Sequence, residues 1–182
     1  MTRKDLIAEI RTAAKRHNEA ACTLIAVHAF ACAAESICLA IEAVAGYFVG
    51  STARTPAKAS FLRFARRYLP DLGTTDPCVA LVERPREPVE SSAETIYAAF
   101  RGGLFHDGER ASGICVVDDK HPWMLSFEAD GSARLNAIPF QSQFERGLKA
   151  FLADLRTDDA LAARAERRSA FLAKPTFVTR DA

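Results

Sequence analysis

The sequence has almost no excess charge, and its cysteines lack the spacing of a metal site or a disulfide framework. Its 182 residues include 24 lysines and arginines against 23 aspartates and glutamates, a formal net charge of +1. No overall field therefore attracts nucleic acid, and any such contact must come from a local basic patch. The five cysteines form no C-x-x-C pair, which argues against a structural zinc site and a secreted scaffold. We expect buried, reduced thiols.

The sequence also lacks internal repeats and low-complexity tracts, and we expect no signal peptide. Residues 1–4 lead directly into a charged amphipathic pattern rather than an apolar run. With 49% apolar and 26% charged residues, the composition is that of a globular protein and not of a disordered one. A chain of this length folds without disulfides or metal. We predict one cytoplasmic domain over residues 1–182, with a core at residues 5–156 and a C-terminal helix and tail at residues 157–182.

One apolar segment, residues 20–49, is long enough to cross a bilayer. It contains His28, Glu35 and Glu42, however, and a charged group in mid-bilayer costs several kcal/mol. We therefore predict a buried helix of a bundle and no membrane partner. The three polar residues are seven positions apart and form one stripe on that helix. The stripe is either a solvated or subunit-facing strip or a source of a helper carboxylate for a site on a neighbouring helix.

Hydrophobic periodicity predicts a mainly α fold, a helical bundle of about five or six helices. The predicted helices are residues 5–17, 20–48, 55–69 and 91–106, a helix from residue 140, and a last helix at about 158–172. Three short strands are predicted at residues 113–117, 123–128 and 133–137. Asp130-Gly131 is a strong signal for a β-hairpin turn between the last two strands. We therefore predict a small β-hairpin, one of three short strands standing before it, inserted ahead of the C-terminal helices. The prolines of residues 71–90 indicate a loop or long crossover.

The third predicted helix carries the strongest local basic patch. Its polar side holds Lys58, Arg63, Arg66 and Arg67, opposite an apolar side. Such a run is either a solvated face or a contact for an anionic partner.

The helix at residues 91–106 carries the residue types of a reaction centre. On a helical wheel Arg101 and His106 border one face, with the small Ala98 and Gly102 between them, and Thr95 falls on the same side. Histidine can transfer protons near neutral pH, and arginine presents a fork that matches phosphate oxygens. One group could handle a 2′-hydroxyl proton while the other stabilises a phosphorane-like transition state. Such a transesterification needs no metal and no cofactor.

Gly102-Gly103 is an unusual pair for a helix, because each glycine costs about 1 kcal/mol relative to alanine. Two explanations stay open. The pair either permits close approach of a ligand or lets a neighbouring helix pack tightly. Both hold if the neighbour is the same helix of a second subunit.

A second set of residues has metal-ligand side chains. It comprises His106, Asp107, Asp118, Asp119 and His121. Their spacing matches no known ligand pattern, so we expect no metal site and keep a metal-dependent hydrolase only as a third reading. Trp123 and Phe127 of the predicted hairpin could stack on bases, and core packing is the other explanation.

The segment Tyr97-Ala-Ala-Phe-Arg-Gly-Gly-Leu-Phe-His-Asp-Gly108 resembles the signature of the HEPN superfamily (higher eukaryotes and prokaryotes nucleotide-binding domain). That signature is an arginine, four to six residues and a histidine near the end of a late helix. Arg101 and His106 match it with four residues between them. The apolar pair before the histidine and the order of predicted elements also agree. The resemblance covers residues 5 to about 156.

The resemblance implies a helical bundle that forms a homodimer, with the signature helices side by side and two Arg101–His106 pairs in one composite site. It makes His106 the general acid or base and Arg101 the phosphate stabiliser. Gly102, Phe105 and Asp107 are candidate substrate-binding or dimer-interface residues. Many such proteins are metal-independent endoribonucleases that leave a 2′,3′-cyclic phosphate and act in toxin–antitoxin, antiviral-defence or CRISPR-linked systems. The implied partners are RNA, a second copy and a cognate antitoxin or regulatory protein.

Two positions depart from the family pattern. The residue after the arginine is often polar, commonly asparagine, and here it is Gly102. One toxin branch has a tyrosine two residues after the histidine, which a partner enzyme modifies, and here that position is Gly108. Some HEPN-like domains are inactive, so the alternative function is a catalytically inactive module that dimerises and binds RNA, a nucleotide or a protein. Gly102 favours this alternative.

Overall fold

The computed structural model describes residues 1–53, 58–73, 92–102, 114–117, 124–127 and 133–174. In chain order these contain α1 (Arg3–Ala26), α2 (Phe30–Val49), α3 (Lys58–Tyr68), α4 (Pro70–Gly73), α5 (Ser92–Tyr97), a π-helical turn (Ala98–Gly102), β1 (Ile114–Val117), β2 (Leu125–Phe127), β3 (Ala133–Asn136), α6 (Ala137–Thr157) and α7 (Asp159–Leu172). The predicted fold class is confirmed. The chain is a mainly α bundle with a small β insert before its C-terminal helices.

The first two helices meet at a different residue from the one predicted. α1 begins at a capping box, in which Thr2 Oγ1 accepts the Asp5 backbone N–H and the Asp5 carboxylate accepts that of Thr2. It continues to Ala26, so the predicted break at residues 17–20 is wrong. That stretch is polar but contains no glycine or proline to end a helix. The break comes at His28, whose left-handed φ of 60° ends α1.

α2 is the central helix of the bundle. It contacts α1, α3, α6 and α7, as well as the π turn and β1. Twelve of its 20 residues are buried, which agrees with the predicted core helix. Within the described ranges it is the one helix long and apolar enough to cross a membrane, and 67% of its most apolar stretch is buried inside the bundle.

An aromatic cluster joins α2, α3 and α6. The rings of Phe48, Phe64, Tyr68 and Phe151 lie 5.1 to 6.2 Å apart, five of the six pairs edge to face. Gly147 of α6 lies directly against the end of α3, where a Cβ would be 2.6 Å from the Tyr68 carbonyl oxygen. The close backbone approach and the interlocked rings therefore fix α3 against α6.

The three strands form a mixed sheet in the order β1-β3-β2. β2 and β3 are antiparallel, with Ser126 opposite Arg134, as the predicted hairpin requires, and the predicted turn at Asp130-Gly131 lies outside the described residues. β1 pairs in parallel with β3. β3 leads directly into α6, where the Asn136 side chain caps the helix by accepting the Ile138 N–H at 3.3 Å. The sheet therefore joins the bundle at the start of α6.

α6 begins at Ala137, three residues before its predicted start, and the ends of α3 and α7 lie within one residue of those predicted. α3 ends at Tyr68, and Pro70 opens the single-turn α4, a position where proline is tolerated. Residues 71–73 of the predicted loop are therefore helical, and its remainder lies outside the described residues. Asp158 separates α6 from α7, and its side chain accepts the Leu161 N–H at 2.8 Å. The predicted last helix is confirmed.

The expectation of buried cysteines is partly wrong. Cys38 is buried, whereas Cys22 and Cys32 are exposed. Both exposed cysteines lie near the α1–α2 turn, where Val27 is 65% exposed. Cys115 lies in β1, and Cys78 lies outside the described residues.

Candidate functional site

Arg101 and Gly102 are the two residues of the predicted site that fall in a described element. They end the π turn that continues α5 without a break. Phe105, His106 and Asp107 lie outside the described residues. The predicted α-helix over residues 91–106 is therefore corrected, up to residue 102, to a six-residue α-helix followed by a five-residue π turn.

The π turn changes the geometry on which the helical wheel depends. A π-helix closes its hydrogen bonds between residues five apart instead of four, so each turn contains more residues. The rotation of about 100 degrees per residue therefore holds for α5 but not beyond Tyr97. Widened turns of this kind occur frequently at functional sites. Arg101 lies within such a turn, a feature that the wheel did not predict.

α5 is held on α3 by an ion pair and an aromatic contact. Lys58 Nζ lies 3.0 Å from Glu94 Oε1. One helical turn further along, the rings of Phe61 and Tyr97 lie 5.1 Å apart at 62°. These two contacts hold the start of the helix that leads to Arg101.

Most of the described side chains of α5 and the π turn are buried. Ile96 is fully buried and Phe100 is 5% exposed, while Ala98 is exposed on the opposite side. Thr95, predicted to share the face of Arg101, is also buried. α3 and α4 both contact α5, and they cover more than one side of this short helix. The buried Phe100 ring anchors the backbone immediately before Arg101.

The predicted polar stripe does not lie on one helix. His28 belongs to the turn before α2, where its ring meets that of Phe30 edge-on at 5.5 Å. Glu35 is half-buried, and Glu42 is only 4% exposed. A buried carboxylate is rare and needs polar or charged partners, so a solvated strip does not describe Glu42. Because α2 contacts the π turn, the helper-carboxylate reading of Glu42 stays a hypothesis.

The predicted basic patch on α3 is partly neutralised. Lys58 pairs with Glu94, as described above, and Arg67 Nη2 lies 3.0 Å from Asp154 Oδ2. The hydrogen bond that Arg67 donates to the Asp154 carboxylate raises the pKa of the guanidinium. The patch therefore presents less free positive charge than its sequence indicates.

A buried polar cluster between α1, α2 and α7 was missed by sequence reasoning. The Glu9 carboxylate accepts hydrogen bonds from Tyr47 Oη at 2.9 Å and Ser169 Oγ at 2.6 Å. Burial, and then the bond to Glu9, raises the pKa of the Tyr47 phenol. Arg168 of α7 is 4% exposed and donates to the carbonyl oxygens of Ser51 and Ala53. The Arg168 guanidinium therefore ties α7 to the segment that follows α2, and the cluster is a structural junction.

No set of three or more metal-ligating side chains capable of holding an ion occurs among the described residues. All five residues of the alternative metal set lie outside them: His106, Asp107, Asp118, Asp119 and His121. Trp123 also lies outside, and Phe127 ends β2 opposite Ala133.

Comparison with known proteins finds no family model, no curated protein and no solved structure that matches this chain. The resemblance to the HEPN signature therefore rests on the spacing of Arg101 and His106 and on the order of the elements around them.

Proposed function

We propose that this chain is a metal-independent endoribonuclease that acts as a homodimer through a composite site of two Arg101–His106 pairs. The observation that carries the proposal is the placement of the Arg-x4-His sequence. It begins at the end of a helix anchored on the bundle, and a small β-hairpin and the closing helices follow it. This order is the one that the HEPN resemblance implies. The π turn that ends at Gly102 adds support, because such turns are frequent at functional sites.

The proposed reaction is an internal transesterification of RNA. The 2′-oxygen attacks the adjacent phosphorus, and the bond from phosphorus to the 5′-oxygen of the next nucleotide breaks. One His106 accepts the 2′-hydroxyl proton, and the His106 of the second copy delivers a proton to the leaving 5′-oxygen. Arg101 stabilises the charge that develops on the non-bridging oxygens. The products are a 2′,3′-cyclic phosphate and a 5′-hydroxyl, with no net uptake of protons or electrons.

Small residues around Arg101 support the dimeric form of the proposal. Ala98 is exposed on the π turn, and Gly102 has no side chain. Small residues allow two helices to approach closely, which would bring two arginine–histidine pairs to one cleft. A cognate antitoxin or other regulatory protein, and a role in defence, follow from the resemblance alone.

The test is cleavage of a fluorescent single-stranded RNA in EDTA by the wild type and by Arg101→Ala and His106→Ala. We expect both substitutions to abolish cleavage while the circular-dichroism spectrum and melting curve stay unchanged. Arg63→Ala, which removes an exposed arginine of α3, is the matched control and should cleave normally. RNA with 2′-deoxynucleotides should resist the wild type. Normal cleavage by both site variants, or cleavage that stops in EDTA, would end the proposal.

The second candidate is a catalytically inactive module that dimerises and binds RNA, a nucleotide or a protein. Gly102 favours it, because this position in the resembled signature usually carries a polar side chain. This candidate predicts RNA binding by the wild type without turnover, and binding that Arg101→Ala weakens.

A further inference from the structure

A surface groove runs between the antiparallel helices α1 and α6. Near one end Asn18 Nδ2 donates to Glu145 Oε1 at 2.9 Å, and at the other Arg3 Nη1 donates to the carbonyl oxygen of Arg156 at 2.8 Å. Between these contacts lies a cavity of about 330 Å³, within the range of ligand pockets. It adjoins a shallower depression of about 570 Å³ along α6, and the two share Glu145 and Lys149. We call the combined depression the α1–α6 groove.

Four cationic side chains line the α1–α6 groove: Arg11, Arg146, Lys149 and Arg156. All four are exposed, and none has an ion pair in the part of the chain that the structure describes. The three on α6 are spaced three and seven residues apart, so they lie along one helix face. At a rise of 1.5 Å per residue they extend over about 15 Å. This length suits a chain of phosphates better than a single anion.

One carboxylate, that of Glu145, also lines the groove, and it already accepts hydrogen bonds. Its Oε1 accepts hydrogen bonds from Asn18 Nδ2 at 2.9 Å and from Gln141 Nε2 at 3.5 Å. These neutral donors leave the charge of Glu145 in place, so the lining holds four cations against one carboxylate and the groove is net positive. Its floor is apolar, formed by the half-buried Leu148 and the buried Leu152. A positive rim above an apolar floor suits a polyanion that also has apolar faces.

We propose that the α1–α6 groove binds the backbone of single-stranded RNA. Proteins that bind single strands use positively charged grooves that follow the backbone, with apolar or aromatic surface beneath the bases. The groove fits this role better than the basic patch on α3, where two of four cations are in ion pairs. The choice of RNA over another polyanion rests on the proposed function. The groove contributes affinity and alignment, and Arg101 and His106 do the chemistry.

The test measures binding to an RNA that cannot be cleaved. A short fluorescein-labelled single strand of 2′-O-methyl RNA is titrated with the full-length protein, and anisotropy gives Kd at several salt concentrations. The groove variant is Arg146→Ala with Lys149→Ala. The control is Arg63→Ala with Arg66→Ala, which removes the same charge from exposed positions on α3. All four positions are exposed, so melting curves should stay close to wild type.

We expect the groove variant to bind with a Kd about tenfold higher or more. The slope of log Kd against log salt should fall by about 0.7 for each phosphate that the protein no longer neutralises. The α3 control should bind within about twofold of wild type. Equal binding by the groove variant and wild type would overturn the inference, as would an equal loss in the α3 control. Failure of the wild type to bind RNA while it binds a polyglutamate peptide through the same residues would also overturn it, in favour of an acidic protein partner.

This experiment separates the groove from the proposed reaction. On a cleavable RNA the groove variant should raise KM and leave kcat unchanged, whereas Arg101→Ala should remove kcat. If Arg101→Ala and His106→Ala cleave normally but the groove variant loses affinity, the proposed catalytic site fails and the groove stands. If the site variants lose cleavage but the groove variant binds normally, the groove fails and the catalytic site stands.

Discussion

Gly147 of α6 lies so close to Tyr68 of α3 that a methyl group at position 147 would sit 2.6 Å from the Tyr68 carbonyl oxygen. Alanine normally stabilises a helix over glycine by about 1 kcal/mol, but here the added carbon meets backbone that cannot move alone. We expect Gly147→Ala to lower the free energy of unfolding by about 1–3 kcal/mol. Urea unfolding followed by circular dichroism measures it.

The control for that prediction is Ser142→Ala, an exposed substitution on the same helix that should be neutral or slightly stabilising. A Gly147→Ala protein as stable as wild type would show that α3 and α6 do not meet this closely.

Arg168 of α7 should contribute to stability through the segment that follows α2. It is buried, and its guanidinium donates to the carbonyl oxygens of Ser51, at 3.1 Å, and Ala53. Arg168→Ala leaves these carbonyls without their donor and should reduce the free energy of unfolding by about 1–3 kcal/mol. The neighbouring Arg167 is exposed, and Arg167→Ala should change stability by less than about 0.5 kcal/mol. Equal effects in thermal unfolding would contradict the assignment.

His17 makes stability depend on pH near neutrality. In the folded chain, burial lowers the pKa of His17 below its ordinary 6.5, and the charge of Arg16 lowers it further by a smaller amount. The unfolded chain therefore binds a proton at this residue at a higher pH than the folded chain does. Stability from His17 is complete above about pH 6.5 and is lost as the pH falls from there toward the folded-state pKa. His17→Gln should show a smaller loss of stability than wild type between pH 7.5 and pH 5.5 in urea unfolding, and an identical loss in both proteins would refute the prediction.

The elements predicted correctly from sequence are those with a local cause. Apolar residues at helical spacing predicted α6, and the last helix was predicted within one residue of the start of α7. Alternation on either side of Asp130-Gly131 predicted the antiparallel pairing of β2 with β3. Each of these signals lies within a few residues of the structure that it specifies.

The features that sequence reasoning missed depend on contacts between distant segments. The parallel pairing of β1 with β3 has no turn signal between neighbours in the chain. The residue that ends α1 in a left-handed conformation is His28, where glycine is usual. The sequence therefore carried no glycine to mark the α1–α2 boundary. The residues of the π turn would suit an α-helix equally well. The α1–α6 groove exists only because folding brings Arg11 and Lys149 together. The site of Arg101 and His106 stays a prediction, because His106 lies outside the described residues.

The substitution Gly102→Asn tests whether a polar side chain is missing from the proposed site. In the resembled signature this position is commonly asparagine, and here the side chain is absent. If the family arrangement holds, an added hydrogen bond of about 0.5–1.5 kcal/mol should raise kcat/KM for RNA cleavage by about twofold to tenfold. Ala98→Asn, an exposed change in the same π turn, is the control and should not raise it. A loss of cleavage in Gly102→Asn would instead favour the tight-packing explanation of the glycine pair.

Glu42 provides the test of whether α2 assists the proposed site. It is 4% exposed on a helix that contacts the π turn before His106, and a buried carboxylate requires a partner that holds its charge. Glu42→Gln keeps the size of the side chain and removes the charge. If the carboxylate positions a group of the site, kcat should fall about tenfold or more, as expected for a lost hydrogen bond to a charged group, with KM little changed. The half-buried Glu35 of the same helix gives the control, and Glu35→Gln should retain wild-type kcat. A Glu42→Gln protein that melts lower but retains wild-type kcat would assign Glu42 to the stability of the bundle and remove it from the site.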